Sequence, residues 1–259
     1  MSRLPALFVS HGSPMTLIDP GRPGAAIADL GRRIEKPMAI LIASAHWLTN
    51  IPGVSTAEQP ETIHDFYGFP DELYRLTYPA PGAPALAERA VGLIKAAGIP
   101  AAGAEYGLDH GAWSPLKLMF PAADVPTAQL SIQPEQDPAH HFRLGQALAP
   151  LRDEGVLIVG SGQFTHNLRD IDRGAGPGEI ADWAKSFVDW IKARMAERDF
   201  DALLDYRRQA PNAARAHPTD EHFLPLFVAL GAGADTATIE HLDFGVTGGT
   251  LAWDSYLLH

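Results

Sequence analysis

The chain alternates between short, continuously apolar runs and longer segments in which apolar residues recur with helical spacing. Four of the apolar runs predict strands that are buried on both faces, because a strand with one exposed face would alternate with polar residues. These predicted strands are Leu4–Ser10, Met38–Ser44, Thr127–Ile132 and Gly155–Gly160. A fifth segment, Thr236–Phe244, does alternate, which is typical of an edge or antiparallel strand.

Helical spacing follows or precedes most of these runs. The predicted helices are Pro84–Ala97, Pro138–Arg152 and Glu179–Arg198. Strands separated by helices favour a parallel or mixed sheet with helices on both faces. We therefore predict an α/β fold in a single catalytic domain, residues 1–259, with a mostly parallel or mixed central sheet and an active site at the carboxyl ends of its strands.

Two segments break this rhythm. Residues Asn50–Pro84 and Ala101–Pro115 are rich in proline, glycine and aromatic residues and have no clear period. Long irregular segments inside a compact domain are usually functional loops. We expect these two segments to form the walls of a site.

Composition excludes several classes of protein. With 20 Lys+Arg against 31 Asp+Glu, the formal net charge is −11, which argues against the basic face that sequence-independent nucleic-acid binding requires. No apolar run approaches the roughly 20 residues needed to span a bilayer. The N-terminus has no signal-peptide pattern, so we expect a cytoplasmic protein with no nucleic-acid or membrane partner.

The chain contains no cysteine. Disulfide frameworks, thiolate metal sites and cysteine nucleophiles are therefore excluded together. A transition-metal site in this protein would have to use imidazole and carboxylate ligands, and the chain has 11 histidines.

Histidines recur at the ends of the predicted strands. His11 follows the first strand, His46 follows the second, and His166 comes shortly after the strand Gly155–Gly160. In open α/β sheets, ligands bind at the carboxyl ends of the strands. Since neutral imidazole is a common metal ligand, three histidines at equivalent positions favour one shared site.

Further histidines have informative neighbours. Ser114 is a candidate cap for a helix with Pro115 at its first position, just after His110. Pro225 predicts a helix that begins near His222, and a helix N-terminus would keep that imidazole neutral and able to bind a cation. The sequence leaves open whether His217 is a surface residue and whether His64 lines a pocket.

Six motifs occur in one order along the chain. They are His11-Gly12-Ser13-Pro14, Ser44-Ala45-His46-Trp47, the segment His64–Pro70, the segment Asp109–Trp113, Gly160-Ser161-Gly162 continuing to His166-Asn167, and the block His217–Pro225. Together they resemble the 4,5-DOPA type of extradiol aromatic ring-opening dioxygenase, in the class III, LigB-like superfamily. The resemblance runs from residue 8 to about residue 230, nearly the whole chain.

The resemblance implies an oxidoreductase that opens the ring of a catechol, such as dihydroxyphenylalanine, with O₂. It implies one divalent non-haem metal per chain held by His11, His46 and His222, Fe(II) for dioxygenase activity or Zn(II) as isolated. The wider superfamily uses a carboxylate as third ligand, whereas the matching position here is His222 with Glu221 beside it. An all-nitrogen ligand set is also familiar for zinc.

The resemblance further implies two catalytic residues. His166 would be the acid or base near the metal, or a fourth ligand in a resting zinc form, and His110 would hydrogen-bond the substrate or bound oxygen. We assign substrate binding to His64, Phe66, Tyr67 and Ser44, because aromatic walls suit a planar ring, although the loop aromatics could equally pin their own loop. Arg75 and Lys117 are the candidates to bind a substrate carboxylate.

Two other functions remain open at this stage. A zinc-dependent hydrolase would use metal-bound hydroxide with His166 as base. A non-catalytic metal-binding protein would have the same fold but no enzymatic activity. Serine catalysis is disfavoured, because no serine lies in a Gly-x-Ser-x-Gly elbow. The expected partners are a small aromatic diol and O₂, and the oligomeric state is left open.

Overall fold

A computed structural model describes residues 3–236 and 238–259. The strands in chain order are β1 (Ala6–Ser10), β2 (Ala39–Leu48), β3 (Gly53–Ser55), β4 (Ala102–Ala104), β5 (Thr127–Ile132), β6 (Val156–Gly162), β7 (Ile239–Leu242), β8 (Val246–Thr247), β9 (Leu251–Ala252) and β10 (Ser255–Leu258). The helices are α1 (Gly21–Arg33), α2 (Pro84–Ala96), α3 (His110–Met119), α4 (Pro138–Leu148), α5 (Asp182–Glu197), α6 (Phe200–Leu204), α7 (Tyr206–Gln209), α8 (Ala213–Ala216) and α9 (Leu224–Ala232).

Eight strands form one mixed sheet in the order β4-β3-β5-β2-β6-β1-β10-β7. The four predicted apolar strands are its centre, where β5, β2, β6 and β1 run parallel. Strand β10 is antiparallel to β1, and β7 is antiparallel to β10 at the edge. The predicted edge strand Thr236–Phe244 is thus confirmed as β7, although residue 237 lies outside the described residues.

Helices cover both faces of the sheet, as predicted. Successive side chains of a strand point to opposite faces, so Leu7 packs with Ile27 of α1 and Trp113 of α3 on one face. Phe8 points to the other face, where α4 and α9 contribute to the core. Every residue of α9 is buried, which its continuous apolar sequence requires.

The helix boundaries differ from the predicted ones where local hydrogen bonds intervene. Helix α5 begins at Asp182, because the preceding Glu179 side chain accepts a bond from the Gly176 amide 2.8 Å away in a separate turn. Helix α4 gives way to a 3₁₀ turn over Ala149–Arg152. Helix α1 was not predicted from sequence, because prolines and glycines crowd its first turn.

The predicted cap at Ser114 is wrong. Helix α3 begins at His110, and the Asp109 side chain caps it by accepting a bond from the Ala112 amide at 3.2 Å. Pro115 therefore lies inside the helix, where it has no N–H to donate to the Gly111 carbonyl four residues earlier. That carbonyl instead accepts a hydrogen bond from Ser161 Oγ of β6.

The two segments expected to be irregular hold some regular structure. Residues 50–84 include β3 and a 3₁₀ turn at Leu73–Arg75, and residues 101–115 include β4 and the start of α3. Among the described residues, no helix has the length and apolarity that crossing a membrane would require.

Candidate active site

Five histidines from distant parts of the chain line one cavity of about 520 Å³ at the carboxyl ends of the central strands. They are His11, His46, His110, His166 and His222. The convergence expected from the strand-end positions is therefore present, and three connecting segments, strand β2 and the N-terminus of α3 contribute to it.

Local backbone features direct these side chains. His11 directly follows β1, and its amide donates to the Gly162 carbonyl at 2.9 Å. His46 lies where the pairing of β2 with β5 shifts register, and such bulges re-aim side chains beside active sites. His222 approaches β6 so closely that a Cβ on Gly162 would lie 2.1 Å from its carbonyl oxygen, so only glycine fits there.

Three of the imidazoles bring the same ring atom to one point. His46 Nε2 lies 3.2 Å from His11 Nε2 and 3.2 Å from His222 Nε2. The three nitrogens form a group that could hold a metal ion.

The opposite nitrogen of each of these rings faces an oxygen. The pairs are His11 Nδ1 with Ser161 Oγ at 2.9 Å, His46 Nδ1 with Asp65 Oδ2 at 3.2 Å, and His222 Nδ1 with Glu221 Oε1 at 3.0 Å. Such outer partners orient a ligating imidazole and fix its tautomer.

The oxygens identify where the ring protons are. Burial alone would raise the pKa of Asp65 and Glu221, but hydrogen bonds from histidines lower the pKa of both carboxyls below their usual range. Both groups are therefore ionised and only accept hydrogen bonds. Ser161 Oγ donates its single hydrogen to the Gly111 carbonyl, so it is the acceptor in its hydrogen bond with His11 Nδ1.

Each ring therefore carries a proton on Nδ1. Burial lowers the pKa of His11 and of His222 well below the ordinary value, so neither ring carries a second proton at neutral pH. The Nε2 atoms of His11 and His222 then carry lone pairs, and both face His46 Nε2. Three imidazole nitrogens that meet at one point form a donor set that fits a divalent cation.

His166 and His110 flank this group. The His166 ring stacks on His222, with ring centroids 3.5 Å apart and an interplanar angle of 11°. Burial lowers the pKa of His166 to about 4. On the other side, His110 Nδ1 lies 2.9 Å from Asp65 Oδ1, and its ring centroid is 3.9 Å from that of His46.

The predicted substrate-binding residues occupy different places. Phe66 lines the cavity. His64 does not, and its Nε2 lies 2.9 Å from the Leu76 carbonyl. Tyr67 is 89% exposed and outside the lining. Ser44 is fully buried beneath the site and donates to Asp109 at 2.6 Å.

His217 is an interior residue and not part of a surface loop. Its ring is fully buried against Phe187 and Phe223, and Nε2 lies 3.0 Å from the Phe164 carbonyl. It does not line the cavity.

Sequence reasoning missed most of the cavity rim. Leu168, Ile171 and Arg173 line it from the segment between β6 and α5, and Leu251 of β9 adds to its apolar wall. No period or motif marks these four residues as part of a site. Phe69, which lies in the predicted segment His64–Pro70, completes the wall. Neither Arg75 nor Lys117 reaches the lining, and Lys117 Nζ donates to the Thr77 carbonyl at 3.0 Å.

Known proteins resemble this chain in sequence over nearly its whole length. A protein from Beta vulgaris named 4,5-DOPA dioxygenase extradiol is 43% identical, covering 96% of this chain and 94% of that protein. A protein of the same name from Escherichia coli K12 is 42% identical, covering 92% of this chain and 89% of its own length.

A crystal structure supports the same relationship. An uncharacterised protein from Escherichia coli K12 superposes with a TM-score of 0.82 at 36% identity, covering 99% of this chain and 100% of that one. Residues 5–252 match the family described as the catalytic LigB subunit of aromatic ring-opening dioxygenase. The chain therefore belongs to the LigB family of aromatic ring-opening dioxygenases.

Proposed function

We propose that this protein opens the ring of a catechol beside its two hydroxyls and inserts both atoms of O₂ into the product. The observation that carries the proposal is the meeting of three histidine Nε2 atoms in a cavity with aromatic walls. Relatives named 4,5-DOPA dioxygenase extradiol support dihydroxyphenylalanine as a member of the substrate class.

His11, His46 and His222 are the residues that would hold one divalent metal, and Fe(II) is the proposed active form. When bound, Fe(II) supplies Lewis acidity toward the diol and the electron-transfer chemistry that O₂ requires. Zn(II) suits a three-histidine set equally well, but it has no redox chemistry. A zinc-loaded protein should therefore be inactive in ring opening.

His166 is the proposed base for a catechol hydroxyl. Because burial lowers the pKa of His166 to about 4, its imidazole is neutral at neutral pH and a ring nitrogen can accept a proton. No other described residue hydrogen-bonds this ring, and its stacking on His222 holds it beside the metal ligands. The same nitrogen can return the proton to the opened product.

His110 is proposed to hold the second hydroxyl. Its Nδ1 lies 2.9 Å from ionised Asp65, which favours a proton on that nitrogen and leaves Nε2 as a hydrogen-bond acceptor for a ligand in the cavity. After Nε2 takes up a proton, it becomes a donor toward negative charge that develops on oxygen.

Phe66 and Phe69 are proposed to hold the flat ring of the substrate. Their rings pack edge to face with centroids 5.3 Å apart, which gives the cavity a rigid apolar wall. His64 packs its ring against Phe66, with centroids 5.7 Å apart. We therefore propose that His64 positions this wall and does not bind substrate itself, and that Ser44 acts similarly through Asp109.

Anaerobic loading with Fe(II), followed by dihydroxyphenylalanine and then O₂, tests the proposal. We expect a yellow ring-opened product and consumption of one O₂ per catechol, with no product under argon or with Zn(II). Ester or amide hydrolysis by the zinc form without O₂ would instead identify a hydrolase. Catechol binding with no O₂ consumption would identify a non-catalytic protein, and either result contradicts the proposal.

A further inference from the structure

One cation lies in the lining of the active-site cavity. Apart from the imidazoles, Arg173 is the only side chain with a basic or acidic group among the described residues of that lining. His11, His110 and His222 are each at least nine-tenths buried, whereas Arg173 and Leu168 are exposed. The cavity therefore has a buried imidazole end and a solvent-exposed rim that carries a positive charge.

The guanidinium of Arg173 has no partner within the described ranges of the chain. The acidic residues nearest to it in sequence are already engaged. Asp172 accepts a bond from the Gly174 amide at 2.8 Å, and Asp170 pairs with Arg215 at 2.6 Å. Five donor hydrogens of Arg173 are thus available to a ligand.

The backbone that carries Arg173 is anchored on both sides. The Asp172 amide donates to the Gly248 carbonyl at 2.9 Å, and the Ala181 amide donates to the Gly249 carbonyl at 2.8 Å. The ion pair between Asp170 and Arg215 fixes the preceding turn. An anchored backbone with an unpaired guanidinium is what a recognition residue requires, since less freedom is lost when the ligand binds.

We propose that Arg173 binds an anionic substituent of the catechol substrate, a carboxylate above all, and that it is a specificity-determining residue of this site. The inference rests on the proposed catechol function. A guanidinium pairs with a carboxylate through two parallel hydrogen bonds. The chain as a whole carries a formal charge of −11, and Arg173 places a positive charge at the solvent-exposed rim where a substituent of the ring would lie.

Three catechols of similar size provide the test. The probes are 3-(3,4-dihydroxyphenyl)propionate, which is anionic, 4-propylcatechol, which is neutral, and dopamine, which is cationic. Fe(II)-loaded protein is titrated with each probe anaerobically by calorimetry, and KM and kcat are then measured in air. The variants are Arg173→Gln, Arg173→Lys and Arg173→Glu. The matched control is Arg169→Gln, because Arg169 is exposed in the same segment but outside the lining.

We expect Arg173→Gln to raise Kd and KM for the propionate about tenfold, as loss of a charged hydrogen bond partly open to water implies. Its kcat and its binding of 4-propylcatechol should stay within about twofold of wild type, since the guanidinium does not touch the reacting diol. Arg173→Lys should recover part of the loss, Arg173→Glu should favour dopamine, and Arg169→Gln should resemble wild type.

Equal effects of Arg173→Gln on all three probes, or none on any, would overturn the role of Arg173. Failure of wild-type protein to open any of the three rings would contradict the proposed function instead. In that case the anaerobic titrations would still decide whether Arg173 selects the anionic probe.

Discussion

Two buried histidine environments in this protein differ in how they use the second ring nitrogen. His141, in the first turn of α4, is fully buried, and both of its nitrogens are satisfied within the protein. Its Nδ1 lies 3.0 Å from the Asp137 carbonyl, and its Nε2 accepts from the Gln133 amide at 3.2 Å. His11, His46 and His222 also direct Nδ1 at an oxygen, but their Nε2 atoms meet only one another.

A structural histidine differs from a ligand-binding histidine in whether both of its ring nitrogens have hydrogen-bond partners within the protein. A neutral imidazole has one donor and one acceptor, and a buried ring that uses both has nothing left for a ligand. A buried ring with an unused acceptor is costly unless something binds there. His11 and His222 are two such rings, and both face His46 Nε2, so the three together indicate a cation site.

The largest effect should come from removing the central ring of the group. His46 Nε2 is the atom within 3.2 Å of both others, so His46→Ala should weaken Fe(II) binding by at least about a hundredfold, beyond the loss expected for an outer partner. Ring opening should be lost with it. Metal content after anaerobic loading and dialysis checks this, with His140→Ala as control. Full iron content in His46→Ala would refute the ligand assignment.

The next effect concerns proton transfer without loss of metal. His166→Gln should bind Fe(II) nearly as wild type does, while kcat falls by about 10² to 10⁴, the usual contribution of a positioned acid or base. Steady-state kinetics on metal-matched samples measure it. A variant that keeps its kcat would remove His166 from the mechanism, and one that loses its iron would make His166 a ligand.

A smaller effect should follow when a ring loses the partner that fixes its tautomer. Ser161→Ala removes the acceptor for His11 Nδ1 and the donor to the Gly111 carbonyl, so Fe(II) affinity should fall about 10- to 100-fold. Ser114→Ala is the control, because that buried serine bonds only within its own helix, at the His110 carbonyl. Competition with a chelator gives both affinities. Equal affinities in the two variants would show that the tautomer does not matter.

The smallest effect on the site should come from His141, although it changes stability. Burial lowers the pKa of His141 to about 4, whereas the unfolded chain titrates near 6.5. As pH falls from about 6.5 to 4, the unfolded state takes up a proton that the folded state does not. The free energy of unfolding therefore decreases, by about 3 kcal/mol for this one group.

The variant His141→Gln keeps a donor and an acceptor but cannot titrate. In metal-free protein, the free energy of unfolding of this variant should fall less steeply below pH 6.5 than that of wild type. The difference in slope should correspond to the uptake of up to one proton on unfolding. Denaturant unfolding at several pH values measures the difference. Parallel curves would mean that His141 has the same pKa in the folded and the unfolded state. The iron content and kcat of His141→Gln should stay near those of wild type in either case.

The same distinction explains how much the sequence could predict. His11 and His46 were predicted to lie at the site because they follow apolar runs, and His222 because it precedes a proline-marked helix. The choice of these three as the metal ligands, with His166 as the base, came from the family resemblance. The central parallel strands and the helices on both faces were predicted because regular elements have periods that a reader can recognise. The α/β class follows from them.

The rest depends on contacts between distant residues. Helix α3 begins earlier than predicted, with Asp109 as its cap, and Pro115 therefore lies inside the helix. The helix tolerates this proline because Ser161 Oγ donates a hydrogen bond to the Gly111 carbonyl, which the proline leaves without a donor. That compensation joins residues far apart in the chain and leaves no local pattern. Arg173 was missed similarly, since a loop anchored at Gly248 and Gly249 carries it to the cavity.

The central claim is that the Nε2 atoms of His11, His46 and His222 share one cation. Anomalous diffraction at the iron absorption edge, from crystals loaded with Fe(II) under argon, tests it most directly. We predict one strong anomalous peak per chain, within bonding distance of all three Nε2 atoms. The Nδ1 atoms of His11, His46 and His222 should still face Ser161, Asp65 and Glu221, respectively. A peak elsewhere, or rings turned so that Nδ1 faces the iron, would contradict the account.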